Sequence, residues 1–340
     1  VTDRELADAV WNELTKTTDS YPTWKRKGFP SGTHWSKAKA FNDQIGVAPP
    51  PPPPPPPDGA AVIPWVGISN GWQFPFRSDA DRAFELGQMV SIGAKVCRND
   101  YTAGSESQKN RTIDECNAKG IKSIAILGGT KRSWTDYDAF VAWCETSVRN
   151  LIGKTDLFEV CNEPDLNGAT PVVYGHYAAG VCAAIKRANP NAARIVGALF
   201  DGQGGPAGYI QACIDAGADF THVSLHLYDD PAEHGSWSMW DRAYPRVGGY
   251  YNGRTVRELL DAHGLSHVPI ISTESGGPVP KYTLAKQAQI VTNAIGEAKA
   301  GRIGSCLIYT MLDDDVAGFG MLDMNRNKRP AWDAFHAAAS

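Results

Sequence analysis

Leu157-Phe158-Glu159-Val160-Cys161 runs straight into Asn162-Glu163-Pro164, and Val268-Pro269-Ile270-Ile271-Ser272 runs into Thr273-Glu274-Ser275. Each is a short apolar, β-rich run followed at once by a glutamate. A run of that kind reads as a strand buried on both faces, as in a parallel sheet. If the sheet closes into a barrel, both carboxylates stand at the C-terminal ends of strands, on the rim where barrel enzymes build their sites.

Outward from these two runs the pattern repeats. Strand-like segments fall at 62–68, 94–98, 122–127, 157–161, 194–199, 222–227, 268–272 and 304–309, which makes eight. Between them lie amphipathic stretches of helical period. The clearest sets Leu284, Ala288, Val291, Ile295 and Ala298 on one face; another sets Val173, Tyr177, Val181 and Ile185 together and stops at Asn189-Pro190. A last short helix over 331–338 follows Pro330. Apolar strands alternating with helices predict a parallel sheet covered by helices. Eight such units in about 280 residues match a (β/α)8 TIM barrel, class α/β. A doubly wound open sheet would carry a glycine-rich phosphate loop after its first strand, and Ser69-Asn70-Gly71-Trp72-Gln73 is not one.

The residues after each strand line one rim. They are Asn70 and Trp72; Arg98, Asn99 and Tyr101; Gly128-Gly129, then Lys131, Arg132 and Trp134; Asn162, Glu163 and Asp165; Asp201; His226 and Tyr228; Glu274; and Tyr309 with Asp313-Asp314-Asp315. Asn-Glu-Pro after strand four, a glutamate after strand seven, Arg-Asn after strand two and His-x-Tyr at strand six resemble the clan A retaining glycoside hydrolases, over residues 60–340. The resemblance implies Glu163 as acid/base, Glu274 as nucleophile, Asn162 as partner of the sugar 2-hydroxyl and Arg98 as support for the nucleophile. It places His226 and Tyr228 beside the carboxylates. The chain departs from the clan at two points: Tyr309 stands where many members carry a tryptophan platform, and Gly128-Gly129 where many carry a histidine. Trp72, Trp134, Trp237 and Trp240 lie in loops, to stack on sugars or to pack against the barrel, and the segment 229–250 is the expected cleft wall.

The chemistry follows from the carboxyl pair itself. A separation of about 5–5.5 Å suits a covalent glycosyl-enzyme and retention, and about 6.5–9.5 Å suits inversion. One carboxyl must hold a proton while the other is ionised, so their surroundings must differ. The competing reading is a barrel that binds carbohydrate or serves a structural role without turnover. Taken singly, either glutamate could be a solvated loop residue and His226 a core histidine. No His/Asp ligand cluster points to metal-dependent chemistry, Asp313-Asp314-Asp315 reads as a solvated acidic loop, and neither metal nor cofactor is expected.

Other regions bound the setting. Pro49 to Pro57 is an unbroken proline run, a semi-rigid spacer about 28 Å long in polyproline II, so 49–58 is read as a linker. Ahead of it, 1–48 reads as a small helical module rich in aromatics, either a mini-core or a docking surface for a sugar polymer or an assembly. The barrel domain is 59–340. A net charge of −4 with no basic run argues against nucleic-acid partners, and no apolar run is long enough to enter a membrane. The first residues show no secretory leader. Seven cysteines without a Cys-x-x-Cys pair suggest free buried thiols and assembly in a reducing cytoplasm. The layout as a whole suggests an enzyme directed at a cell-wall or capsular glycan, released by lysis or carried on a virion, with 1–48 as its attachment.

Overall fold

The computed structural model describes residues 61–70, 74–131, 133–200, 205–232, 240, 243, 255–313 and 318–340. The module at 1–48, the linker at 49–58, Trp72, Arg132, Asp201, Trp237 and Asp314-Asp315 lie outside the described residues.

Eight parallel strands close into a barrel in chain order. They are β1 (Val66–Ser69), β2 (Val96–Tyr101), β3 (Lys122–Leu127), β4 (Leu157–Val160), β5 (Ala193–Leu199), β6 (His222–His226), β7 (Ile270–Ser275) and β8 (Cys306–Tyr309). Closure is direct, with Val66 to Ser69 on β1 in register with Cys306 to Tyr309 on β8. Each strand leads to a helix: α1 (Asp79–Ser91), α2 (Glu106–Ala118), α3 (Tyr137–Asn150), α4 (Pro171–Ala188), α5 (Gly205–Asp215), α6 (Val256–Ala262), α7 (Leu284–Lys299) and α8 (Pro330–Ala339). Every strand expected from the sequence overlaps an observed one.

Local chemistry sets the helix ends. Thr170 caps α4 by accepting the Val173 N–H, with Pro171 in the first turn, where its missing N–H costs nothing. Thr255 and Glu258 form a reciprocal capping box on α6, and Thr283 caps α7. The helix α4 stops at Ala188, just before Asn189-Pro190, as the sequence predicts.

Two apolar layers organise the interior. Residues such as Ile68, Leu86, Met89 and Phe335 fill the shell between strands and helices. A separate cluster of Ile63, Val96, Ile124, Leu157, Ala193, Ile195, Ile271 and Leu307 forms the floor inside the barrel. Side chains two residues apart on a strand share a face. One step beyond the floor, that face therefore carries Arg98 on β2, Glu159 on β4 and Tyr309 on β8. An apolar floor beneath a polar layer is how this sequence places a reactive mouth above a packed core.

The rim of β7 breaks the alternation. Strict alternation from Ile271 would send Thr273 inward and Glu274 outward. The ladder shifts between Leu225 and His226, pairing His226 with Glu274, and again between Ser272 and Ser275 on the β8 side. Ser272 Oγ donates to the Glu274 carbonyl at 2.9 Å. An irregularity of this kind bends the strand and re-aims its side chains. Thr273 meets Ser224, and Glu274 still turns into the barrel.

Candidate active site

Arg98 is the hub of the mouth. It is 2% exposed and sits among acceptors from three strands. Nε and Nη2 grip Glu159 at 2.9 and 2.7 Å, Nη1 donates to Glu274 Oε1 at 2.7 Å and to Ser69 Oγ at 3.2 Å, and Nη2 also reaches Asn162 Oδ1 at 2.7 Å. Burial opposes its charge, but the Glu159 carboxylate, with Glu274 behind it, raises its pKa further above the ordinary range. A planar guanidinium suits this task because its donors form a fixed fork. Asn162 spends its amide oxygen on Arg98, so what it offers a ligand is N–H.

Glu274 lies at the end of β7, inside the strand rather than past it, and is 8% exposed. Besides Arg98 it accepts the Tyr228 hydroxyl at 2.5 Å. Burial and then the Glu274 charge push the Tyr228 pKa well up, so the phenol stays protonated and donates. The Tyr228 ring packs on Phe319 at 5.3 Å, and Phe319 packs on Tyr309 at 5.7 Å. Tyr309 is thus part of an aromatic wall beside Glu274.

Glu163 is held by its backbone. Cys161 and Glu163 both adopt positive φ, 59° and 44°. This left-handed conformation costs an L-residue about 1–2 kcal/mol. The surroundings enforce it: Cys161 N donates to Leu127 O at 3.1 Å, Asn162 N to Gly129 O at 2.8 Å and Glu163 N to Ala198 O at 3.1 Å. The Glu163 carbonyl accepts from the Leu166 and Asn167 N–H groups and from the Asn167 amide. A backbone held off its preferred basin by so many contacts is a mark of functional sites.

His226 joins the two carboxylates. It is fully buried, with Nδ1 2.9 Å from Glu163 Oε1 and 3.4 Å from Glu274 Oε2. Nε2 faces Arg98 Nη2 at 3.4 Å. Nδ1 therefore carries the proton in the neutral ring, and Nε2 keeps its lone pair toward the guanidinium. Burial alone would lower the His226 pKa, yet the Glu274 charge and the Glu163 hydrogen bond raise it above the ordinary 6.5, against Arg98. Burial pushes Glu163 up, but the bond to His226 and its charge, with Arg98, bring it below the ordinary 4.5. One donor atom from each of Glu163, His226 and Glu274 lies within 4.8 Å of the others. The set does not suit a metal, because the imidazole nitrogen between the carboxylates holds a proton and the other faces a cation.

The structure brings together Arg98, Asn162, Glu163, His226, Tyr228 and Glu274, with Tyr309 beside them. Asn70 is buried at the end of β1, where its N–H donates to Arg98 O at 3.1 Å and its side-chain amide is unpartnered. Trp134 and Trp240 pack: the Trp134 indole donates to Asn167 O at 3.0 Å and lies edge-on to Tyr177, and Trp240 is fully buried over Asp229. Asp313 is not the solvated acid expected, since it is buried and braced by the Gly318 N–H and by Arg329. Sequence reasoning missed Glu159 and Phe319. A charge in the middle of Leu157-Phe158-Glu159-Val160 is a signal for Glu159, since a buried carboxylate demands a cation; Phe319 lies in a loop with no comparable signal.

No protein-family model matches the chain, and no curated protein does. Among solved structures, it is similar to a family 39 glycoside hydrolase from Bacteroides cellulosilyticus WH2, with TM-score 0.64, 16% identity, and 82% of this chain and 65% of that one covered. It is also similar to a monomeric beta-xylosidase from Caulobacter crescentus CB15, with TM-score 0.61, 16% identity and coverage of 84% and 69%. A GH5_18 protein from Bifidobacterium longum subsp. infantis matches with TM-score 0.58, 14% identity and coverage of 82% and 79%. What is shared is the fold. The chain spans about two thirds of the length of the first two proteins.

Proposed function

We propose that the protein is a retaining glycosidase that cleaves O-glycosidic bonds in a polysaccharide or glycoconjugate, with Glu274 as nucleophile and Glu163 as acid/base. The observation that carries this reading is the approach of the two carboxylates within 4.8 Å across the mouth, with His226 between them. That is near the separation of about 5–5.5 Å that permits a covalent intermediate, and short of the spacing that admits a water for inversion. Their surroundings differ as the chemistry requires. Glu274 accepts from a guanidinium and a phenol, while Glu163 accepts from an imidazole N–H. A sugar that fills the mouth excludes water and disfavours charge on Glu163, so Glu163 enters the reaction with a proton taken from solvent, while His226 keeps its Nδ1 proton and donates it to Oε1 at 2.9 Å. Glu163 then protonates the leaving oxygen as Glu274 attacks the anomeric carbon; in the second step it takes a proton from the water that releases the sugar. Several structural relatives are described as glycosidases, which supports the class and leaves the sugar open. In this reading residues 1–48, tethered by the proline run, attach the enzyme to a cell-wall or virion surface.

The test is hydrolysis of aryl glycosides. Glu274→Gln and Glu163→Gln should each lower turnover by about 10³-fold, and azide should restore only the Glu163 variant. Variants as active as wild type would show the assignment to be wrong. Sugar binding without hydrolysis across a broad glycan panel would favour the non-catalytic barrel.

A further inference from the structure

Asp100 is another carboxylate of the mouth. It stands two residues beyond Arg98 on β2, so its side chain leaves the same face of the strand, one step nearer the opening. The other carboxylates of this region are paired: Glu159 with Arg98, Glu274 with Arg98 and Tyr228, and Glu163 with His226. Among the described residues no hydrogen bond or ion pair reaches the Asp100 carboxylate, although it is partly buried. Lys109 and Arg98 act on it only through space, and burial raises its pKa above the ordinary carboxylate value. Its oxygens reach solvent, so the carboxylate is open to the hydroxyls of a ligand.

Its position says what the donor is. Oδ2 lies 2.7 Å from where a Cβ on Gly129 would stand, so Asp100 looks across a bare glycine. The carbonyl of that glycine holds the Asn162 N–H. Asp100 thus adjoins the glycine whose carbonyl holds Asn162, next to Glu163 in the chain. A carboxylate has lone pairs for two O–H donors at once, the pattern offered by neighbouring hydroxyls on a sugar ring.

We propose that Asp100 reads the glycone, accepting hydrogen bonds from the hydroxyls at C3 and C4 of the sugar whose 2-hydroxyl faces Asn162. This rests on the glycosidase reading and makes Asp100 a specificity-determining residue of that site.

The experiment compares wild type, Asp100→Asn and Asp100→Ala on a 4-nitrophenyl glycoside that turns over and on its 3-deoxy and 4-deoxy analogues. Isofagomine binding, measured by calorimetry, gives a readout free of turnover. Asp100→Ala should lose about 10–100-fold in kcat/KM on the parent glycoside and much less on at least one deoxy analogue. Asp100→Asn, which keeps the shape, should fall between, and both variants should melt no earlier than wild type. Equal losses on all three substrates, or none, would overturn the assignment while leaving the glycosidase reading intact. A wild type that hydrolyses nothing but binds isofagomine through Asp100 would do the reverse. A wild type that neither hydrolyses nor binds overturns both.

Discussion

Arg98 and His226 are the residues on which the site turns, and each makes a separate prediction. Arg98 neutralises two buried carboxylates, so Arg98→Met leaves Glu159 and Glu274 uncompensated and should cost about 3–5 kcal/mol of stability. Urea unfolding would measure it, and adding Glu159→Met should recover part of the loss. His226 predicts a pH dependence. Its folded pKa is raised, so its stabilising contribution is complete below the ordinary 6.5 and is lost as pH climbs through the folded value. Glu163 is depressed, so its contribution is present above the ordinary 4.5 and is lost as pH falls through its folded value. The two overlap between 4.5 and 6.5. The stability gap between wild type and His226→Phe should therefore be widest in that window and shrink at higher pH; a gap that does not vary with pH would contradict the contact. These side chains were legible in the sequence because each lies in a recognisable strand run that leads to the rim. Glu159 was missed although its charge inside an apolar run is a signal, because that signal names a need for a cation and not which cation meets it.

At the scale of elements, the β3–α3 and β4–α4 connections set the geometry. Gly128 and Gly129 have φ of 91° and 50°, and a Cβ on Gly128 would meet the Phe140 ring at 2.8 Å. Gly128→Ala should destabilise the protein by about 1–3 kcal/mol, read by chemical denaturation. Gly129→Ala should in addition depress activity, since Gly129 carries the carbonyl that positions Asn162. Sequence showed these glycines only as the absence of a histidine, and their conformational role emerges with the turn they make. The break in β7 was likewise invisible. Apolar alternation predicts where a strand lies, whereas a register shift depends on how two neighbours hydrogen-bond, and no local pattern encodes that. Reading Glu274 as just past the strand therefore put it on the right rim for an incomplete reason.

The molecule as a whole is an eight-stranded barrel whose order was readable from periodicity, because floor, shell and helices impose different spacings on the chain. Its thiols follow from that packing. All seven cysteines are buried and unpaired, and burial raises the pKa of Cys161 and, to about 12, of Cys182 and Cys306. A thiol reagent should label almost none in the native protein and all seven after unfolding; rapid native labelling would mean the helical shell is looser than described. Sugar identity was not legible, since it depends on where single side chains meet single hydroxyls, which periodicity does not fix. The central claim is that Glu274 forms a covalent bond to the sugar. Its most direct test is to treat the protein with the 2-deoxy-2-fluoro form of any aryl glycoside found to be hydrolysed in the activity test, then map the added mass by peptide sequencing. The account predicts one sugar per chain, attached to the peptide carrying Glu274; a label on Glu163 or elsewhere, or turnover with inversion and no trapped adduct, would contradict it.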